Sequence, residues 1–473
     1  MAEPTAPVRV RYAPSPTGHT HLGGARTALF NYLFARRSHG AFLLRIEDTD
    51  RARLVPGSVE QIQEGLRWLG ITWDEQPIIQ SEHLERYREA AEHLLQSGAA
   101  YRCFCTPQRL EQMRAEQRAR HEPERYDRRC ATLPREEAER RAAAGERFVV
   151  RQRIPAQGET VLQDLVMGTV VFQNETLDDH VLLKSDGYPT YHLAFAVDDH
   201  SSRISHVIRG DGWLPSAPKH LLLFQAFGWA TPAFAHLPLV LGPDRKPLAK
   251  RHGARNVLEY RDAGYLPEAV VNFLAFLGWS PGTTQDLFSM EQLIEAFWIE
   301  RVQSSPAIAN LERLDWLNGQ WIRSLGDRDP QELARRLQPW LVKASPDEIR
   351  GLIPLVKDRL QTLGQAHDLL AFFFEPPPPL PNEVRADPQT MRDRVRAARQ
   401  ALEPLAAWTD EEIERALRGA ADGLRLKHGE FFMTLRIALT GRRVTPPLVE
   451  SIRLLGRDRV MGVFERRLSE LGG

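Results

Sequence analysis

The chain has 473 residues with 62 basic and 62 acidic side chains, so its formal net charge is zero and no bulk field steers it towards or away from a polyanion. Hydrophobic residues make up 42% and charged residues 26%, an ordinary globular balance, in a length that implies roughly three to five domains. Three cysteines and no apolar leader point to a reducing, cytoplasmic setting rather than a disulfide framework, and no run approaches the ~20 apolar residues of a membrane span.

In chain order, VRVRYAP (8–14) reads as a short strand ended by Pro14, PSPTGHTHLGG as a loop, and ARTALFNYLFARRSHG (25–40) as a helix closed by Gly40. AFLLRIEDTD (41–50) is a near-continuous apolar strand ending in acids, which completes a βαβ unit with a buried parallel sheet. Two amphipathic helices follow in SVEQIQEGLRWLG and SEHLERYREAAEHLLQSG. From Tyr101 the texture becomes charge-dense and cysteine-bearing, and short strands then appear in RFVVRQRIP, TVVFQ and HVLLKSDG. YPTYHLAFAVDDH (188–200) and SHVIRGDGW (205–213) read as buried strands returning to the sheet. KHLLLFQAFGW is a helix and FAHLPLVLG a strand. Beyond KPLAKRHG helices dominate, and FFFEPPPPLPNE (372–383) reads as a rigid, extended linker between helical units. The expected layout is a doubly wound α/β domain over 1–100 and 190–250, an insertion over 101–189, a helical module over 251–325 and an all-helical region over 326–473.

The loop after the first strand carries the chemistry. His19 and His21 lie one residue apart with no third ligand nearby, which makes a metal site a poor reading. A glycine-bearing turn that opens a helix is where open α/β folds bind nucleotides. Neither GxxxxGK[ST] nor GxGxxG is present, so a Walker loop and a dinucleotide fingerprint are excluded. What remains is His21, Leu22, Gly23 and Gly24 at the helix entry. The glycines admit a purine and ribose to the backbone, and the histidine can hydrogen-bond an α-phosphate. A helix-capping histidine is the plainer alternative.

The run PSPTGHTHLGGARTALFNYLFARR (14–37) resembles the signature of class I aminoacyl-tRNA synthetases in its glutamyl form, with His21–Gly24 where that class has its HIGH motif. LRIEDTDRAR (44–53), GLRWLGITWDE (65–75), SEHLERYR (81–88), LLKSDGYPTYHLA (182–194), VVNFLAFLGWSP (270–281) and LDWLNGQWIR (314–323) match the same family in order, so the resemblance covers the whole chain. It implies a multidomain α/β plus α protein. A Rossmann-like catalytic domain would carry an inserted acceptor-end domain, followed by a helical stem-contact module and an all-helical anticodon-binding region. The implied activity is ATP-dependent activation of L-glutamate and its transfer to tRNA(Glu), with Mg²⁺, by a monomer that has no membrane role.

Carried over residue by residue, the family's glutamate site falls on Arg11, Ala13, Ser15, Glu47, Tyr191 and Arg209, with Phe195 near the substrate but without a polar role. Arg11 and Arg209 offer a fork for a carboxylate, and Glu47 suits an α-ammonium group. The nucleotide site falls on His21, Gly23, Gly24, Trp213, Lys250 and Arg251, with His21 and Lys250 stabilising phosphate charge. Two departures stand out. The KMSKS-type loop, commonly KLSKR in this family, is Pro247-Leu248-Ala249-Lys250-Arg251, with Arg245 and Lys246 just upstream as substitute charges. Gly212 stands where the family commonly has an acid, for which Asp211 is a stand-in.

The family also binds zinc through CxC…CxH in many members. Here the set is Cys103, Cys105 and Cys130, with Thr132 at the histidine position, Tyr126 as the fourth donor and His121 as a weak substitute. A decayed site held by packing is the alternative. GEFFMTLRIALTGR (429–442) matches the anticodon-binding region. Arginines from Arg425 to Arg467, including Arg436 and Arg442, read there as a patch facing few acids, suited to a phosphate backbone. Arg359 of KDRLQTL aligns with an arginine that accompanies rejection of the glutamine tRNA. Rival readings are a ligase charging both tRNAs, a catalytically silent tRNA-binding paralogue, and a glutamyl transferase acting on a tRNA base, against which the length argues.

Overall fold

A computed structural model describes residues 7–249, 252, 255–381 and 388–472. The chain forms two compact units, Met1–Tyr260 with Val270–Leu311, and Arg261–Ala269 with Glu312–Gly473. Residues Lys250 and Arg251 lie outside the described residues.

The first unit opens with β1 (Arg9–Tyr12), α1 (Leu22–Arg37) and β2 (Ala41–Ile46), the last pairing in parallel with β1 from Arg9↔Ala41 to Tyr12↔Leu44. Both strands are buried on both faces, which is why their sequences run apolar instead of alternating. Gly40 does not supply the left-handed turn after α1; His39 does, at φ 51°. Gly40 is needed for space, because a Cβ there would strike the Val8 carbonyl oxygen that accepts from Ala41. After α2 (Ser58–Trp68), β3 (Ile78–Ile79) adds to β2 in parallel, and α3 (Leu84–Gln96) follows.

The segment from 101 to 189 divides in two. β4 (Ala100–Cys103), β5 (Val149–Gln152) and β8 (Val181–Leu183) form their own antiparallel sheet beside α4 (Pro107–Ala119) and α5 (Arg135–Ala143). The hairpin of β6 (Glu159–Asp164) and β7 (Gly168–Gln173) instead extends the sheet of β9 (His206–Gly210) and β10 (Ala233–Leu237), in the order β7-β6-β10-β9. The sequence reading missed β6, although ETVLQD alternates in burial along its length.

The run YPTYHLAFAVDDH, expected as a strand, is helix α6 (Tyr191–Ser201). Leu193 to Asp199 are all buried, so the helix has no polar face and its sequence loses the 3.6-residue contrast that would distinguish it from a buried strand. α7 (Ala217–Phe227) then leads into β10, as expected. The β1 edge meets the start of β9, where the Ser205 N–H donates to the Arg9 carbonyl at 2.9 Å.

The second unit is helical from Leu311–Arg328 to Arg457–Gly472, around a core that includes Val395, Leu417, Phe431, Leu435, Ile452 and Phe464. The proline run is extended but not a bare spacer. Leu380 is buried in that core, and the Pro378 carbonyl accepts from Arg467 at 2.7 Å.

Candidate active site

A cavity of about 430 Å³ opens at the carboxyl ends of β1, β2, β9 and β10, beside the N-terminus of α1. That is where the strands of an open parallel sheet leave room for a ligand. Arg11, Ala13, Ser15, Gly23, Gly24, Glu47, Tyr191, Arg209, Gly212 and Trp213 all line it. The structure thus gathers nearly all of the expected substrate residues around one space.

The glycines are explained by their surroundings. A Cβ on Gly24 would come within 2.8 Å of the Tyr12 hydroxyl, so a side chain there would require the Tyr12 ring to shift. Gly23 faces open space. His21 is the N-cap residue of α1 and is exposed, and its carbonyl accepts from the Ala25 N–H at 3.0 Å. His19 is exposed and belongs to no metal-sized group of donors among the described residues.

The charges are held by a buried lattice. Arg45 donates to Asp199 Oδ1 at 2.5 Å and to Glu47 Oε1 at 3.1 Å, and Arg11 Nε donates to the same Asp199 oxygen at 2.9 Å. Asp198 accepts from Gln80 at 2.8 Å and from the Tyr87 hydroxyl at 2.9 Å. Burial opposes the charge on Asp199, but Arg11 and Arg45 outweigh it and hold that carboxyl below the usual range. Burial raises Glu47 despite Arg45 and Arg11. Glu47 is therefore a buried acid anchored by Arg45 rather than a solvated strand end. Sequence reading did not single out Arg45, Asp198 or Asp199. The signal available was a pair of acids ending an apolar run.

Arg209 is equally enclosed. Its Nη1 donates to the Tyr191 hydroxyl at 3.1 Å and to His220 Nδ1 at 3.2 Å, its Nη2 to the Trp213 carbonyl at 3.3 Å, and its Nε to His236 Nε2 at 3.0 Å. Trp213 packs on Tyr191 with ring centroids 4.1 Å apart. Phe195 is buried behind the pocket, with the guanidinium of Arg11 at 5.5 Å and that of Arg209 at 5.0 Å from its ring centre. It separates and supports two like charges through its π-face. Asp211 accepts from the Leu239 N–H at 3.1 Å, while its other oxygen is buried without a partner.

Pro247 fits its loop for a clear reason. It is bridged to Leu241 in a tight hairpin whose bonds run from Gly242 N–H to Lys246 O and from Leu248 N–H to Val240 O. Neither bond asks Pro247 to donate, so the proline removes nothing from the hairpin. The His252 ring accepts from the Ala249 N–H at 3.1 Å.

In the cysteine segment, Cys103, Cys105 and Cys130 bring their sulfurs within 4.8 Å of one another. The Tyr126 hydroxyl lies 3.3 Å from Cys103 and 3.5 Å from Cys105, and Cys105 and Cys130 are 3.6 Å apart. Four soft or anionic donors at such separations fit a tetrahedral ion with bonds of about 2.3 Å to sulfur. The bond to Cys103 holds the Cys130 thiol down to about 6, while Cys103 itself is pushed up to about 12 by Cys130 and by burial. Thr132 and His121 are exposed and not part of this group.

In the second unit, the expected arginine patch is only partly one. Arg467 is buried and donates to the carbonyls of Ala438 and Pro378. Arg453 pairs with Asp410 at 2.9 Å and Arg442 with Asp368 at 2.6 Å, and Arg459 donates to backbone oxygens of Phe372 and Glu375. These arginines tie helices and loops together, which residue counting along the chain cannot distinguish from a phosphate-facing patch. Arg359 is exposed, and its charge depresses that of half-buried Arg436 on top of burial. Two neighbouring guanidinium groups repel unless an anion lies between them.

The parallel sheet, the glycine-lined helix entry and the cavity between them define the catalytic half of a class I tRNA synthetase. The family model for tRNA synthetases class I (E and Q), catalytic domain, matches residues 7–316, and an anticodon binding domain model matches 332–468. A glutamate–tRNA ligase of Dehalococcoides mccartyi is 46% identical over 99% of this chain and 99% of its own, and one of Acidothermus cellulolyticus is 46% identical over 98% and 97%. The crystal structure of a glutamate tRNA ligase from Elizabethkingia meningosepticum, in complex with its amino acid, matches with a TM-score of 0.87 at 34% identity, covering 98% of this chain and 100% of that one. The chain belongs to the class I tRNA synthetases of the E and Q group, in the glutamate–tRNA ligase family.

Proposed function

We propose that this protein activates L-glutamate with ATP and transfers it to the 3′ end of tRNA(Glu), acting as a cytoplasmic monomer in protein synthesis. The observation that carries the reading is one cavity lined by two enclosed arginines, Arg11 and Arg209, and by a buried carboxylate, Glu47. A molecule with a carboxylate at one end and an ammonium group at the other suits a cavity that offers both signs of charge, Arg11 and Glu47 being held in place by Asp199 and Arg45, and the volume suits a small ligand. Arg11, Arg209 and the Tyr191 hydroxyl take the side-chain carboxylate. Glu47 takes the ammonium group, and Ala13 and Ser15 leave room for the chain between them.

ATP lies along Gly23 and Gly24 with Trp213 at the rim. An oxygen of the glutamate α-carboxylate attacks the α-phosphorus, and pyrophosphate leaves. His21 stabilises charge at the α-phosphate, and Lys250 with Arg251 neutralises the leaving group. Mg²⁺ bound with the nucleotide would supply screening of its phosphate charge. The 2′-hydroxyl of the tRNA's terminal adenosine then attacks the acyl carbon, and AMP leaves. The enzyme contributes position and fixed charge rather than a general base. Zinc, held by Cys103, Cys105, Cys130 and Tyr126, would brace the inserted domain without entering the reaction. The stem of the tRNA belongs to the helical module around 251–325, and its anticodon to the region from 326 onward, with Arg359, Arg436 and Arg442 on that side.

The test is glutamate-dependent ATP–pyrophosphate exchange, with and without unmodified tRNA for glutamate and for glutamine. Exchange with the glutamate tRNA alone is expected. Exchange with both tRNAs would make it a ligase that charges both and would remove the role given to Arg359. Absence of exchange with tRNA still bound would leave a silent tRNA-binding protein.

A further inference from the structure

Arg209 is held from behind by a relay of two residues that do not line the cavity. Asp164, at the end of β6, is 6% exposed, and it accepts at Oδ1 from the N–H groups of Val166 and Met167, both at 2.9 Å. The His236 backbone N–H donates to the same carboxylate at 3.1 Å. Asp164 Oδ2 accepts from His236 Nδ1 at 2.6 Å, and His236, fully buried on β10, turns Nε2 to Arg209 Nε at 3.0 Å.

The protonation pattern follows from donor inventories. A guanidinium has five donors and no acceptor, so His236 Nε2 must be bare and the ring proton must sit on Nδ1. Asp164, an acceptor only, favours that same tautomer. The relay is the logic by which a carboxylate fixes a histidine's orientation and tautomer for the partner on its other nitrogen.

On the reading of the cavity as the amino-acid site, we infer that Asp164 and His236 are positioning residues that set the guanidinium of Arg209 for the substrate's carboxylate. With Nε held by His236 and three further N–H groups directed to Tyr191, His220 and Trp213, a single N–H of Nη2 remains without an acceptor among the described residues. The ligand meets a guanidinium whose plane is already fixed. The hairpin of β6 and β7 thereby contributes to amino-acid recognition although none of its residues lines the cavity.

The experiment is steady-state aminoacylation of tRNA(Glu), varying glutamate and ATP in turn, for wild type, D164N, H236N and H236Q, with a thermal melt on each. In D164N the new amide can donate to Nδ1, which moves the ring proton to Nε2 and sets two donors against each other. In H236N the side chain is too short to reach Arg209. In H236Q the amide oxygen stands as many bonds from Cα as Nε2 and accepts from Arg209. D164N and H236N are expected to raise the glutamate KM about ten-fold or more, with the ATP KM and kcat moved far less, and H236Q to recover most of the loss. Unchanged glutamate KM in folded D164N and H236N, or glutamate and ATP KM rising together, would overturn the inference. If D164N does not fold, H236N against H236Q decides, and equal impairment of the two overturns it. If wild type charges tRNA with a different amino acid, the proposed substrate fails, and the same KM contrast measured with that amino acid still decides the relay.

Discussion

Arg209 and Arg45 are enclosed by opposite chemistries, and that difference sets what each does. Arg45 is surrounded by Glu47, Asp198 and Asp199, which raise its pKa against the effect of burial, so it is a structural charge. Arg209 is held by neutral acceptors, and burial lowers its pKa. Asp199 offsets part of its charge from a distance, but among the described residues no carboxylate pairs with it directly, which leaves it free to bind a carboxylate ligand. Arg209→Lys therefore removes more than geometry. An ammonium cannot reach His236, Tyr191, His220 and a ligand at once. The expected result is a fall of about 10²-fold in kcat/KM for glutamate, with ATP affinity nearly unchanged, read from pyrophosphate exchange.

At the scale of elements, helix α6 and the start of α7 meet in a file of imidazoles, of which His180 and His220 are buried and His192 partly so. His192 Nδ1 meets His220 Nε2 at 3.0 Å, and the His180 ring packs on His192 with centroids 4.3 Å apart. Burial, with help from Lys219 and Arg209, pushes His192 down to about 3, and burial holds His180 and His220 well below the ordinary histidine value. Their folded pKa values lie below the unfolded ones. Between about 3 and 6.5 the unfolded chain binds protons at His192 that the folded chain does not, so stability rises with pH across that window and is lost as pH falls below 6.5. Each such histidine contributes about 1.4 kcal/mol per pH unit at most. Urea midpoints at pH 7 and pH 5 should differ accordingly, and His192→Gln should flatten the difference. The cysteine-bearing sheet gives a second expectation at this scale. If Cys103, Cys105, Cys130 and Tyr126 hold zinc, elemental analysis finds about one ion per chain, and strong chelation or Cys130→Ser lowers the melting temperature of the first unit while the second melts as before.

For the whole molecule, recognition of a long polyanion is separable from stability. Arg359→Gln and Arg436→Gln should weaken tRNA binding and each reduce the slope of log K against log salt by about 1. Arg467→Gln should leave that slope alone and instead destabilise the helical unit by about 1–3 kcal/mol, since two carbonyls and the Glu470 carboxylate lose their donor. Filter binding at two salt concentrations and a urea titration of each variant check both outcomes.

The sequence carried the first βαβ unit and the glycine-bearing entry to α1 in local pattern, while Arg11, Glu47, Tyr191 and Arg209 came only through resemblance of short runs to a known family, and the structure brings these four to one cavity. The lattice behind them was not legible. Arg11 meets Asp199 across 188 positions and His236 meets Asp164 across 72, and no local pattern records such a pair. Helix α6 was misread for a related reason. A helix buried on all sides has no polar stripe, and only its packing against α3, α7 and β8 distinguishes it from a strand. Proximity along the chain is written in residue types and spacing. The partners that set a charge, a tautomer or an arginine's availability are chosen by the folded core, where burial makes each polar group find an acceptor or donor wherever the chain brings one.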